Sequence, residues 1–121
     1  MDARGCDPAR LTSPEQLAEL FDEIVTDLDL HVVGTPQWHK FPGHGGVTGV
    51  CMLAESHLAV HTFPEHQSLC LNLFCCRPRH DLDWPALLSK HVGATDVDVR
   101  RVDRDYAEAA SRRLQAASPH S

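Results

Sequence analysis

Met52-Leu-Ala-Glu-Ser-His-Leu-Ala-Val-His-Thr-Phe-Pro-Glu65 is the stretch on which the fold of this 121-residue chain turns. An apolar run stops at Ala54, a turn is expected over Glu55-Ser56-His57, and an alternating strand resumes at Leu58. Leu58 and Val60 then share one face of that strand, while Ala59, His61 and Phe63 share the other. Acid, hydroxyl and imidazole thus sit together at a turn in the least polar part of the chain. Polar groups are kept in such a place only when they have partners or a task.

Working outward, Val47-Thr-Gly-Val-Cys-Met-Leu53 reads as the strand that leads into the turn. Gln67-Ser-Leu-Cys-Leu-Asn-Leu-Phe-Cys-Cys76 reads as the strand that follows. It places Leu69, Leu71, Leu73 and Cys75 on one face, with Cys70, Asn72, Phe74 and Cys76 on the other. Leu30–Val33 is expected to be a short strand that Gln37–Phe41 continues past a bend. The glycine-rich run 42–46 is a loop. Ser13 caps a helix, with Pro14 in its first turn and Gln16 positioned for a capping box; Leu17, Leu20, Phe21, Ile24, Val25 and Leu28 form its apolar stripe. Asp83 caps a second helix from Trp84 to about Val92, which Gly93 closes. Residues 96–102 alternate as a last strand, residues 1–12 form a strand stub and a turn, and part of the tail from Arg104 is expected to be helical.

Short links between successive strands favour antiparallel pairing. Two helices suffice to cover one face, which gives an α+β fold: a two-layer sandwich of a mainly antiparallel sheet with two helices on one face. One domain of residues 1–121 is expected. The uncovered face would carry Ala59, His61, Phe63, Asn72, Phe74 and Cys76. It is too apolar for water and too polar for a plain core, so a substrate pocket or a second subunit is expected there, at least a homodimer.

Composition narrows the function classes. A net charge of −6 and scattered basic residues argue against a nucleic-acid partner. No apolar run nears the roughly 18 residues of a membrane span, and the first residues lack a hydrophobic signal region, so a cytoplasmic location with no membrane contact is expected. The five cysteines have no framework spacing and are expected as thiols. His57 and His61 would stand about 13 Å apart on a strand, too far to share one ion, so no metal is expected. Ser56 lacks the G-x-S-x-G elbow of a serine hydrolase.

Taken together, Ala54-Glu-Ser-His57, His61-Thr-Phe-Pro-Glu65 and Phe74-Cys-Cys76 resemble the prokaryotic S-adenosylmethionine decarboxylase family, pyruvoyl enzymes made as proenzymes. Gly5-Cys-Asp-Pro8, His39-Lys-Phe41 and Gly46-Val-Thr-Gly49 extend the resemblance over most of residues 2–102. Three departures stand out: the family's first strand is nearly absent, the loop after Phe41 is one residue longer, and Phe-Cys-Cys-Arg-Pro-Arg79 replaces a commoner Phe-Thr-Cys-Gly.

The resemblance implies that Ser56 is a cofactor precursor. Its hydroxyl would attack the Glu55 carbonyl, and elimination would leave fragments 1–55 and 56–121, the second headed by a pyruvoyl group. Thr48 (commonly serine) and His61 match the residues that assist this cleavage. The pyruvoyl group would form a Schiff base with S-adenosylmethionine and release carbon dioxide, feeding spermidine biosynthesis. Cys76 matches the thiol that returns a proton. Phe41 matches an aromatic that stacks on adenine, Glu65 a carboxylate for the ribose hydroxyls, and Phe63 stands where relatives often have tryptophan. Arg77 and Arg79 would be surface charge or would bind a substrate carboxylate. Two other readings stay open: a pyruvoyl decarboxylase of arginine or ornithine, and an unprocessed binding homologue without catalysis.

Overall fold

A computed structural model describes residues 1–76 and 81–102. Six strands form one antiparallel sheet: β1 (Asp2–Arg4), β2 (Gln37–Lys40), β3 (Val47–Leu53), β4 (Ser56–Phe63), β5 (Ser68–Cys75) and β6 (Asp96–Asp98). Their order is β2-β3-β4-β5-β1-β6. Among the described residues three α-helices accompany the sheet: α1 (Pro8–Leu11), α2 (Pro14–Asp27) and α3 (Trp84–Val92). The expected α+β sandwich is what forms, with one short helix more than the sequence suggested. Arg77, Arg79 and the tail from Arg104 lie outside the described residues.

Local chemistry accounts for the helices. Ser13 caps α2 by accepting from the Gln16 N–H at 3.2 Å, and Pro14 stands at the first turn. Only half of the expected capping box is made, because the Ser13 N–H donates to Arg10 O at the end of α1. Leu17, Leu20, Phe21 and Ile24 are buried along one stripe of α2, and Val25 is half-buried. Asp83 caps α3 through the Ala86 N–H, and Gly93 ends it at φ 72°. Helix α1, which the sequence reading treated as a turn, is a single turn started by the Asp7 carboxylate and Pro8.

The alternation of β3, β4 and β5 holds as expected. Val47, Cys51, Leu53, Leu58, Val60, Leu69 and Leu71 are buried with the helix residues in one core. Thr48, Val50 and Met52 share the opposite face with His57, Ala59, His61 and Phe63, as the pairings Thr48↔His61, Val50↔Ala59 and Met52↔His57 require. Val50, Met52 and Phe63 are exposed there. Strand β2 is tied to the helical layer by Trp38, which packs on Phe21 with ring centroids 4.8 Å apart. A Cβ on Gly49 would stand 2.2 Å from that indole, so only glycine fits opposite Trp38.

Three strand expectations need correction. Leu30–Val33 is not a strand: it makes one bridge, Val32↔Leu53. Asp29 at φ 52° and Gly34 at φ 73° turn the chain on either side of it. Gln37–Lys40 therefore does not continue it; this segment is the hairpin partner of β3. Strand β6 stops at Asp98 because its partner β1 offers only Asp2, Ala3 and Arg4.

Candidate active site

The hairpin between β3 and β4 turns on Ala54 and Glu55 alone, and Ser56 already pairs with both Leu53 and Cys75. The expected turn over Glu55–His57 is thus one residue too late. Compactness has a cost at Ser56, whose φ is 153°. That region is essentially confined to glycine, and a residue held in it carries about 1–3 kcal/mol of strain.

The surroundings hold the strained residue in place. The Cys76 N–H donates to the Glu55 carbonyl at 2.9 Å, one ladder bond beyond the end of β5. The Ser56 hydroxyl lies 3.3 Å from His57 Nδ1. The His57 ring stacks on Phe74 with centroids 5.7 Å apart. Glu55 is buried, and its carboxylate accepts from the His31 N–H at 3.1 Å and lies 2.8 Å from His31 Nδ1. These His31 contacts, the ring first and the backbone second, hold the Glu55 carboxyl at about 2, well below the ordinary 4.5. Because the folded value is depressed, what the pair contributes is complete above pH 4.5 and is lost as the pH falls toward 2.

A second group of side chains gathers at the other end of the same hairpin. Thr48 Oγ1 and His61 Nδ1 are 2.9 Å apart across the β3–β4 pair. Phe41 follows β2, half exposed, with its ring edge-on to His39 at 4.4 Å. Phe63 ends β4, and exposed Glu65 lies in the 3₁₀ turn after it. Beneath them, buried Thr62 donates to Leu11 O at 2.7 Å and accepts from the Val47 N–H at 2.8 Å. Its hydroxyl ties this end of the hairpin into the core.

The predicted site residues therefore form two clusters. Glu55, Ser56 and Cys76 come together at the turn; Thr48, His61, Phe41, Phe63 and Glu65 belong to the open end. Ser56 and His61 are five residues apart on one strand, about 16 Å. Among the described residues no three metal-ligating side chains converge. Burial pushes the Cys6 and Cys51 thiols up, as suits two core residues, whereas Cys76 is exposed.

Residues 1–105 match the family model described as S-adenosylmethionine decarboxylase, and both clusters lie within that match. The chain belongs to the S-adenosylmethionine decarboxylase family. Among its relatives is an arginine decarboxylase proenzyme of Ignicoccus hospitalis, 34% identical over 103 residues, 83% of this chain and 70% of that one. An S-adenosylmethionine decarboxylase proenzyme of a Hydrogenobaculum species is 33% identical over 111 residues, 88% of this chain and 79% of that one. The proenzyme of the same name from Shouchella clausii is 31% identical over 101 residues, 83% and 77% of the two chains. For this decarboxylase family member, sequence reasoning missed one residue at the turn, His31. It was out of reach, since nothing in Leu30–Val33 signals a contact 24 residues downstream. His57 belonged to the acid–hydroxyl–imidazole trio from the start but was given no role.

Proposed function

We propose that the chain cleaves itself at Glu55–Ser56 and then decarboxylates S-adenosylmethionine in the cytoplasm, supplying spermidine biosynthesis. The observation that carries this reading is the state of one peptide bond: a strained Ser56 follows a carbonyl already polarised by the Cys76 N–H. Attack by Ser56 Oγ on the Glu55 carbon would turn that carbonyl oxygen into an oxyanion. A donor aimed at it beforehand stabilises the charge without reorganisation. The acyl group moves from nitrogen to oxygen, and the strain stored at φ is released. Loss of the Ser56 α-proton then frees the Glu55 carboxylate as the end of fragment 1–55. Uptake of water and loss of ammonia leave a ketone at the head of fragment 56–121.

The turn suits a pyruvoyl group, since the precursor hydroxyl belongs to the residue after the held Glu55 carbonyl and lies 3.3 Å from the His57 ring, which is on the exposed sheet face. Such a ketone would supply an electron sink for the pair left when carbon dioxide departs from a substrate held through its amine. The chain's own residues do the rest. Cys76, one residue beyond the register partner of Ser56, holds the proton for the α-carbon. Phe41 offers an open ring face to adenine and the sulfonium, and the Glu65 carboxylate accepts from the ribose hydroxyls.

Thr48 and His61 stand too far from Ser56 to act on it within one protomer. We infer a homodimer in which the partner's open end meets this turn, covering the apolar face that Val50, Met52 and Phe63 leave exposed. The second reading, arginine as substrate, is favoured by the name of the Ignicoccus relative. Carbon dioxide released from carboxyl-labelled S-adenosylmethionine and from labelled arginine decides between them. Release from the first alone is expected; release from arginine alone would reassign the substrate.

A further inference from the structure

A glutamate in a two-residue hairpin turn ordinarily points its carboxylate into water. Here the Glu55 side chain is 8% exposed, whereas its partner His31 is 66% exposed. An exposed ion pair is worth little, but a buried carboxylate has to be matched by donors or it destabilises the fold. His31 supplies the leading ones, through its ring Nδ1 and its backbone N–H, and the Glu55 backbone adds to them.

The same segment grips the turn twice more. The Ala54 N–H donates to His31 O at 2.8 Å, and the Val33 N–H donates to Met52 O at 2.9 Å. Glu55 is therefore tethered at two points: its carbonyl by Cys76 just past β5, its carboxylate by His31 on the far side of the hairpin. The Glu55–Ser56 peptide turns about the Glu55 Cα–C bond. Cys76 holds its carbonyl and His31 holds the Glu55 side chain on the other side of that bond, so the rotation that would bring Ser56 to an ordinary φ is resisted from both ends.

We propose that His31 is a positioning residue for the self-cleavage, gripping the Glu55 carboxylate so that the Glu55–Ser56 peptide stays in the strained conformation from which Ser56 attacks. The inference rests on the self-cleavage proposed above. It gives Leu30–Val33 a role as a splint laid against the turn, bounded by the left-handed residues Asp29 and Gly34. It also explains why a carboxylate precedes the serine: the side chain is the handle by which the bond is held.

The test follows the cleavage of newly synthesised chain over time on a denaturing gel, for wild type, H31A, H31N and H31Q. H31A should cleave about ten- to a hundredfold more slowly, the usual cost of a reacting group displaced by about an ångström. H31N, whose side-chain amide nitrogen falls near the place of Nδ1, should recover most of the rate. H31Q, whose amide reaches toward the place of Nε2, should not. Thermal unfolding of each variant in an S56A background should remain one cooperative transition; if H31A fails to fold, the H31N and H31Q comparison carries the test. H31A cleaving as fast as a cleaving wild type would overturn the role of His31, as would equal recovery by H31N and H31Q. A wild-type chain that stays whole would instead sink the self-cleavage itself, and this inference with it.

Discussion

The two ends of the β3–β4 hairpin are built on opposite principles. At the turn, Ser56 is held in a backbone region that glycine favours, and the tethers on Glu55 keep it there. At the open end Thr48 and His61 lie in plain paired strand, and Thr62 roots that end in the core through two short hydrogen bonds. One end holds a bond under strain. The other holds a hydroxyl–imidazole pair, aromatic rings and a carboxylate on a steady platform, about 16 Å away. On the proposal above, the site is divided so that neither half of one protomer completes the chemistry alone, and the uncovered sheet face is where the partner's half would meet it.

The largest expected effect separates the halves by mutation. S56A and H61A chains, each made alone, should leave no 1–55 and 56–121 fragments. Made together, they should form mixed dimers in which the Ser56 of one chain meets the Thr48–His61 pair of the other. The H61A chain should then be cleaved, and fragment bands on a denaturing gel would report it. No cleavage in the mixture, with mixed dimers demonstrated, would mean that the two ends do not cooperate across protomers.

A smaller effect is expected at the open end alone. F41A removes an exposed ring face, so it should raise the KM for S-adenosylmethionine roughly tenfold, the worth of about 1.4 kcal/mol of cation–π contact. Self-cleavage should be unaffected, and steady-state rates alongside gel fractions would separate the two. Arginine turnover, if present, should not respond. Smaller still in catalytic terms is T62V, which leaves Leu11 O and the Val47 N–H without the hydroxyl that links them. It should lower stability by about 1–3 kcal/mol, measured by denaturant unfolding in an S56A background.

Much of this arrangement was legible in the residues. The caps Ser13-Pro14 and Asp83, the stop at Gly93 and the alternation through Leu58–Phe63 and Leu69–Cys75 each have a local cause, and each formed where expected. The pairing of Thr48 with His61 was not itself foreseen, though both residues had been singled out and it follows from the register of their strands. What was not legible depends on distant partners. Nothing about Ser56 announces a φ of 153°, because the register of β4 against two neighbours imposes it. The length of β6 was set by the three residues of β1 and not by the apolar Val99 and Val102. Leu30–Val33 alternates well enough to suggest a strand, yet flanking left-handed residues leave it one bridge. The separation of the site into two clusters was legible but not drawn: the strand spacing that sets His57 about 13 Å from His61 also parts Ser56 from His61, whereas the family resemblance groups them in one site.

The central claim is that a serine between these two tethers is consumed. Intact mass spectrometry of the purified chain, with and without a hydroxylamine-type reagent, tests it most directly. The account predicts two masses, fragment 1–55 and a fragment from position 56 that has lost ammonia and gains one adduct with the reagent. A single uncleaved mass that takes up no reagent, from protein with a cooperative unfolding transition, would contradict it.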